Sequence, residues 1–204
     1  MMIEIKRKNL EPIVVEDAHT FDEAVEYAVR NLISLEYADL SGADLSWMDL
    51  SGANLSCADL READLSYAYL SQANLSKAYL RGANLSKADL RWANLSESDL
   101  RGANLSKADL RGADLSVANL REVDLSGSNI DYSCLPLWCG SLDTKIDKRI
   151  FCQLLYHVLR AGKSVEDKEV AEFLNDPKAL ALANKFHRVE ECGKLKAINT
   201  TEEK

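Results

Sequence analysis

The side chains that could bind a metal ion are gathered in the C-terminal part of the chain. They are Cys134, Cys139, Cys152, His157, His187 and Cys192. Structural zinc sites usually combine closely spaced Cys or His pairs, and the sequence contains no CxxC or HxxxH motif. Five residues along a helix correspond to a rotation of about 140°, so Cys152 and His157 would not share a helical face. We therefore interpret these residues as buried cysteines and helix-end histidines, with a small metal-binding module as the alternative.

Residues suited to acid–base or nucleophilic catalysis form no recognisable motif. Histidine occurs only at positions 19, 157 and 187, and the chain has no glycine-rich loop and no G-x-S-x-G sequence. Asp and Ser are frequent between residues 35 and 135, but they recur at regular intervals, which argues against a single catalytic site. The sequence therefore predicts a protein that is not an enzyme and that needs no cofactor or metal. A small hydrolase or metal-dependent enzyme within residues 136–204 is the remaining catalytic alternative.

The composition limits the cellular environment and the classes of partner. The net charge is −8, with 25 Lys and Arg against 33 Asp and Glu, which disfavours direct binding to nucleic acid. The sequence lacks a run of about 18 apolar residues that could span a membrane, and its first residues lack the apolar segment of a secretory signal. Five cysteines without an even pairing pattern favour reduced thiols. We expect a cytoplasmic protein that binds neither membranes nor nucleic acid directly.

The dominant feature of the sequence is a five-residue repeat. Leu or Ile occupies every fifth position from Leu35 to Ile130, and Leu135 continues the series without an insertion or deletion. A small residue stands two positions earlier, and it is Ala at 15 of the 20 positions from Ala38 to Ser133. A period of five matches neither a helix nor a strand, so this part of the chain is predicted to form a repetitive solenoid.

The unit A-[D/N]-L-[S/R]-x, as in Ala83-Asn84-Leu85-Ser86-Lys87, resembles the repeat of the pentapeptide-repeat family. The resemblance implies an all-β solenoid, a right-handed quadrilateral β-helix with four units in each coil. In that family the central Leu and the Ala two positions before it point inward, and the other three side chains point outward. The array would then form about five coils, and a spacing of about 4.8 Å between coils would give a rod of roughly 24 Å.

An N-terminal cap is predicted from a separate set of patterns. Short strands are predicted at residues 3–5 and 13–15, and Thr20 with Glu23 forms a capping box at the start of a helix over residues 21–33. The apolar face of this helix would contain Phe21, Ala24, Val25, Ala28 and Leu32. Such a cap would cover the exposed edge of the first coil.

The predicted division of the chain has three parts. The N-terminal cap of strands and helix covers residues 1–34, and the β-helix covers residues 35–135. Pro136 interrupts the repeat, and the helical patterns that follow predict a C-terminal extension of α-helices over residues 136–204.

The outward side chains sort into columns because every fourth repeat unit would stack on the same side of the solenoid. The position after each Leu is mostly Arg on two opposite sides and Ser on the two sides between them. The arginines are Arg61, Arg81, Arg101 and Arg121 on one side and Arg91 and Arg111 on the other. We interpret them as a solvated ladder balanced by interleaved carboxylates, with a surface for an anion or an acidic partner as the alternative.

Outward aromatic side chains are concentrated in the N-terminal half of the array. They are Trp47, Tyr67, Tyr69, Tyr79 and Trp92. Trp47 and Tyr67 occupy equivalent positions in successive coils and should touch, whereas Tyr69 and Trp92 should lie near each other elsewhere. Exposed aromatics mark protein interfaces more often than chance, although stacked aromatics can also simply stabilise a ladder. This group is the candidate interaction surface.

Two functions from different classes remain. The sequence favours a non-catalytic scaffold that binds another protein, and a homodimer is an open alternative. Some family members of the quinolone-resistance type bind DNA gyrase by mimicking DNA, and the resemblance raises that alternative. Residues 36–135 contain 15 carboxylates and 9 cations, a net charge of −6, whereas B-DNA carries roughly 14 charges over 24 Å. The low charge and the uninterrupted array argue against DNA mimicry.

Overall fold

The computed structural model describes residues 2–16 and 18–130, together with Pro177 and Ala181, which are helical. The predicted C-terminal helices lie outside the described residues. So do the candidate metal ligands Cys134, Cys139, Cys152, His157, His187 and Cys192. Residues 2–130 belong to one unit of the chain, so the N-terminal segment and the array can be described together.

The N-terminal segment forms a hairpin followed by a helix, as predicted. Strand β1 spans Ile3–Ile5 and pairs antiparallel with strand β2, Ile13–Val15, with Ile3 opposite Val15. Helix α1 spans Phe21–Arg30. The Thr20 hydroxyl accepts a hydrogen bond from the Glu23 amide at 3.2 Å, and the Glu23 carboxylate accepts one from the His19 amide at 2.7 Å. The helix therefore begins at a capping box whose return bond reaches one residue further back than usual.

The predicted end of helix α1 was wrong by nearly one turn. The helix ends at Arg30, and Leu32 adopts a left-handed conformation with φ of 57°. The Ile33 amide donates to the Ala28 carbonyl and the Leu32 amide to the Val29 carbonyl, which is the Schellman pattern of a helix end. Leu32 is 94% exposed and does not belong to the apolar face, whereas Ala24, Val25 and Ala28 are buried.

The array is built from coils of four repeat units. Parallel bridges join each residue before a Leu to the residue at the same place in the next coil, from Asp39 with Asp59 to Asp109 with Asn129. Three of the four columns have five members, as in the column that runs from Asp39 through Asp59, Tyr79 and Asp99 to Asn119. Five levels therefore stack, as the repeat count predicts.

The interior of the array consists of Leu and Ala columns. Every Leu from Leu35 to Leu125 is at most 2% exposed, and most Ala residues of the repeat are equally buried. Ser98 and Ser128 replace Ala and are also buried; the Ser98 hydroxyl donates to the Leu95 carbonyl at 2.6 Å, and the Ser128 hydroxyl donates to the Leu125 carbonyl at 2.8 Å. A buried hydroxyl is tolerated here because it finds a backbone acceptor within its own corner.

The residue before each Leu is Asp or Asn for a local reason. Its side-chain oxygen accepts a hydrogen bond from the backbone amide two residues later, as in Asp44 with Ser46 at 3.1 Å and Asn94 with Ser96 at 3.0 Å. Asp and Asn have side chains of the right length for this Asx turn. The Asp or Asn before each Leu therefore fixes the backbone where each corner begins. The Leu that follows it lies inside this Asx turn and points into the core.

The first coil is paired with the N-terminal segment along one side. Arg7 forms an antiparallel bridge with Ala38, the Asp39 amide donates to the Lys6 carbonyl at 2.8 Å, and the Lys8 amide donates to the Tyr37 carbonyl at 2.9 Å. Leu35, Leu40, Leu45 and Leu50 of this terminal coil are as buried as the central leucines. A terminal coil has a neighbouring coil on one side only, so the hairpin and helix α1 act as its cover.

The second residue after each Leu adopts a left-handed conformation at the corners. The Ala amide that follows donates to the Leu carbonyl three residues earlier, as in Ala43 to Leu40, and φ at Gly42 is 65°. Positive φ at this position defines a type II turn. Six of these corners carry Gly, but Val117 has φ of 59°, although a β-branched residue is rarely found in this conformation.

The substitution Val117→Gly is expected to raise the free energy of unfolding by about 1 kcal/mol, because glycine adopts positive φ without steric cost. The reverse change, Gly102→Ala, should lower it by about 1 kcal/mol. A methyl group at position 102 would meet no atom within 4 Å, so this variant measures the backbone cost alone. Urea titration of both variants checks the pair, and equal signs would contradict the assignment of strain.

Candidate interaction surfaces

Two opposite sides of the array carry the side chains of interest. The front side has the outward column Asp39, Asp59, Tyr79, Asp99 and Asn119. The back side has the outward column Asp49, Tyr69, Asp89, Asp109 and Asn129. Each side is bordered by two corners, whose residues also point outward. The two sides each contain one Tyr in place of Asp or Asn.

Four of the five predicted aromatic residues lie on the back side or at its corners. Tyr69 is in the column, Trp47 and Tyr67 occupy the preceding corner, and Trp92 occupies the following corner. Tyr79 lies on the front side, away from the others. We call Trp47, Tyr67, Tyr69 and Trp92 the aromatic surface. The sequence predicts these four residues as two separate groups, whereas in the structure all four lie on the back side or at its corners.

The predicted contact between Trp47 and Tyr67 is present. Their ring centroids are 4.1 Å apart and the planes differ by 8°, so the two rings are stacked and nearly parallel. The Lys87 ammonium lies 4.5 Å from the centroid of the Tyr67 ring and contacts its hydroxyl. Trp47 nevertheless remains 62% exposed. The stack therefore presents a large apolar ring in a fixed position.

Tyr69 and Trp92 make no ring contact with each other in the part of the chain that the structure describes. Trp92 instead lies against the next coil at Gly112, where a Cβ atom would be 2.4 Å from Cε3 of the indole. Gly112 therefore leaves the space in which the indole rests. Both Tyr69 and Trp92 are exposed. The predicted proximity of the two residues does not extend to a contact, because Trp92 lies one coil beyond Tyr69 and its indole lies against Gly112 in the coil after that.

The arginine ladder consists mostly of ion pairs within single repeats. Arg61, Arg91, Arg101 and Arg111 each donate two or more hydrogen bonds to the Asp two residues earlier. The Arg101 Nε–Asp99 Oδ1 distance, for example, is 2.7 Å. Arg121 follows Asn119 and pairs with Glu122 at 3.3 Å. These geometries agree with a ladder balanced by carboxylates.

The pairing lowers the pKa of the carboxylates. Hydrogen bonds from Arg61, Arg91 and Arg101 hold the pKa of Asp59, Asp89 and Asp99 below the ordinary value, and the same bonds raise the pKa of the arginines. Partial burial works in the opposite direction for the Asp residues and is the smaller effect. The ionised form is therefore stabilised by folding.

The pH dependence follows from the sign of these shifts. An Asp whose pKa is lower in the folded state contributes stability above its unfolded pKa of about 4 and loses that contribution as the pH falls further. We expect stability to decline below about pH 4, and Asp89→Asn and Arg91→Gln each to reduce the decline. Denaturant titrations between neutral pH and pH 3 measure it. An unchanged decline in both variants would show that the pair contributes nothing.

A contact that the sequence did not reveal joins Tyr37 and Cys57 at the start of the front side. A hydrogen bond with the Cys57 thiol, the largest cause, raises the pKa of the Tyr37 hydroxyl. The two residues occupy the same corner in successive coils, so the stacking rule contained the necessary signal.

Within residues 2–16 and 18–130 no cluster of His, Cys, Asp and Glu has the geometry of a metal site. None of the described helices is long and apolar enough to cross a membrane.

Comparison with known proteins gives the repeat a family. The model described as pentapeptide repeats matches eight copies, at residues 33–66, 63–102 and 98–135, which together span half of the chain. A search of curated proteins found no match.

Solved structures agree with this match at the level of sequence. The pentapeptide repeat protein Rfr23 from the cyanobacterium Cyanothece 51142 is 41% identical over 44% of this chain, with a TM-score of 0.30. The chain covers 60% of Rfr23, less than two thirds of its length. The pentapeptide repeat protein alr5209 from Nostoc Pcc 7120 is 34% identical over 48% of this chain and 84% of its own, with a TM-score of 0.40. The fluoroquinolone resistance protein QnrB1 is 24% identical over 59% of this chain and 83% of its own, with a TM-score of 0.22.

Proposed function

This chain belongs to the pentapeptide-repeat family, and we propose that it acts as a scaffold that binds another protein through the aromatic surface. Proteins of this family are generally non-catalytic structural or interaction proteins. The proposal accords with the regularity of the array, in which corner follows corner without a loop that could hold a catalytic group.

The observation that carries the proposal is the exposed Trp47–Tyr67 stack. A tryptophan that is 62% exposed and already held at 4.1 Å from its neighbour loses little side-chain entropy on binding. Tyr and Trp dominate the residues that contribute most to protein interfaces. Tyr69 lies on the same side and Trp92 at its far corner, so an apolar partner surface could contact all four rings.

A capture experiment tests this proposal. The wild-type chain, Trp47→Ala and Val117→Thr would be immobilised and exposed to an extract of the native host. Val117 is an exposed apolar corner residue that does not border the back side, so its variant controls for general stickiness. We expect a protein that the wild type and Val117→Thr retain in near-equal molar amount and that Trp47→Ala loses. The same bound proteins on all three would end the proposal.

Self-association through the same rings would give a different result. Light scattering on the purified chain at several concentrations measures it directly. If the wild type dimerises and Trp47→Ala is monomeric, the partner is a second copy of the chain rather than another protein.

DNA mimicry is the weaker alternative. The outward carboxylate columns of the front and back sides are interrupted by Tyr79 and Tyr69, and four of their Asp residues are neutralised by arginines. A gyrase supercoiling assay tests this alternative, and inhibition at micromolar protein would favour it over the scaffold.

A further inference from the structure

A second surface lies on the front side, opposite the aromatic surface. It is a groove of about 600 Å³ whose floor contains Asp59, Tyr79 and Asp99. One wall is the corner that carries Arg61, Arg81 and Arg101, and the N-terminal segment adds Lys6, Arg7 and Lys8. The antiparallel pairing of that segment with the first coil brings its cations to the groove. We call this feature the basic groove.

The charge of the basic groove is opposite to that of the chain. Its lining contains six Lys and Arg and three Asp residues, an excess of three positive charges, whereas the whole chain has a net charge of −8. Charges of one sign that are gathered in a concave surface reinforce one another and attract ligands of the opposite sign. A local excess of this kind on an acidic protein therefore indicates a partner with negative charge.

The cations in this groove are not all neutralised by the protein. Arg61 donates two side-chain hydrogen bonds to Asp59, and Arg101 donates two to Asp99. Tyr79 occupies the position at which Arg81 would find its own Asp, and within the described residues Arg81 makes no ion pair within 4 Å. Lys6 and Lys8 are exposed and likewise make no ion pair among the described residues.

Three cations that lack an ion pair in the described part of the chain thus line the groove whose floor contains the exposed Tyr79 ring. The field of Arg81 contributes to the low pKa of Asp99, and that of Lys8 contributes to the low pKa of Asp59, so both cations lie close to the floor of the groove. Their donors remain available because the carboxylates already accept hydrogen bonds from Arg101 and Arg61. A carboxylate entering the groove would meet Arg81 without displacing an existing ion pair.

We propose that the basic groove binds an extended acidic peptide segment of a partner protein, with a carboxylate side chain on Arg81 and a second one near Lys6 and Lys8. Side chains on the same face of an extended peptide recur about every 7 Å, so carboxylates can be placed between the groove's own Asp residues. A nucleic acid carries an uninterrupted row of charges and would oppose Asp59 and Asp99. The spacing of charge therefore favours a peptide.

The test uses a fluorescently labelled peptide of alternating Glu and Ser, a Lys–Ser peptide as the negative control and a single-stranded oligothymidine of similar length. Fluorescence anisotropy would be measured with the full chain at low and physiological salt. We expect binding of the Glu–Ser peptide that weakens with salt and no binding of the Lys–Ser peptide. Tighter binding of the oligothymidine, or no binding of the Glu–Ser peptide at millimolar protein, would overturn the proposal.

A matched pair of variants locates the site. Tyr79→Asp restores an Asp beside Arg81, and Tyr69→Asp makes the same change in the equivalent column of the back side. Tyr79→Asp should weaken the peptide about five- to tenfold, and Tyr69→Asp should change the affinity less than twofold. If the two variants weakened binding equally, the peptide would be responding to the net charge of the protein. That result would contradict binding in the basic groove.

A second pair removes positive charge instead of adding negative charge. Arg81→Gln should weaken the peptide about fivefold, whereas Arg121→Gln, in the same arginine column but outside the groove, should not. Equal losses would again reject a localised site. The result is independent of the aromatic surface, because Trp47→Ala should bind the Glu–Ser peptide as the wild type does. Failure of one surface can therefore be distinguished from failure of the other.

Discussion

Replacement of Leu85 by alanine is expected to lower the free energy of unfolding by about 3–5 kcal/mol. Leu85 is fully buried in the middle of the array. Its backbone amide donates to the Asn104 carbonyl at 2.7 Å, and the same bond recurs at each level. These bonds hold the coil spacing near that of β-strands. Neighbouring coils therefore cannot approach each other to fill the cavity that the substitution leaves. The cost should therefore fall in the upper part of the range for buried leucines.

The same substitution at an exposed leucine provides the control. Leu32 is 94% exposed, so Leu32→Ala should change the free energy of unfolding by no more than about 0.5 kcal/mol. Urea unfolding monitored by circular dichroism measures both variants. Because each coil contacts only its neighbours, the Leu85→Ala variant should also broaden the transition. A loss below about 1 kcal/mol would mean that the array relaxes around the cavity.

The stacking rule accounted for most of the array because one bond pattern repeats at every coil. Trp47 and Tyr67, which occupy equivalent positions in successive coils, were predicted to touch and do so at 4.1 Å. The pairing of Asp59 with Arg61 follows from the Asx turn, which brings the Arg61 side chain next to that of Asp59 two residues earlier. Because the array is regular, the spacing of residues in the sequence is enough to predict such contacts.

The remaining features depend on contacts that interrupt the regularity. The left-handed Leu32 ends helix α1 at a position where Gly is the usual residue. The helix predicted from the sequence is therefore too long. Ser98 fits a buried Ala position because its hydroxyl donates to the Leu95 carbonyl, a bond that the repeat pattern alone does not predict. The pairing of Lys6 and Lys8 with the first coil joins segments that lie on either side of helix α1 in the sequence, and no periodicity connects them. The sequence alone therefore does not predict the basic groove, which needs that pairing.

Adjacent residues of strand β2 offer a sharp test of the N-terminal cover. Val15 is 2% exposed and Val14 is 47% exposed, because neighbouring side chains of a strand point to opposite faces. Val15→Asp buries a carboxylate in the N-terminal segment, where Ile5 of the paired strand β1 and Val25 of helix α1 are also fully buried. An unpaired buried charge costs several kcal/mol, so the variant should lose about 3–5 kcal/mol or fail to form the cap. Val14→Asp should lose no more than about 0.5 kcal/mol.

Loss of the cap should also change the behaviour of the array itself. The hydrogen bonds from Asp39 to Lys6 and from Lys8 to Tyr37 would break, and the edge of the first coil would then present unpaired backbone groups and leucine side chains. Such an edge pairs with other chains, so Val15→Asp should associate as its concentration rises, whereas Val14→Asp should match the wild type. Light scattering and analytical ultracentrifugation measure this difference. If Val15→Asp were to match the wild type in both stability and size, the N-terminal hairpin would not be the cover of the first coil.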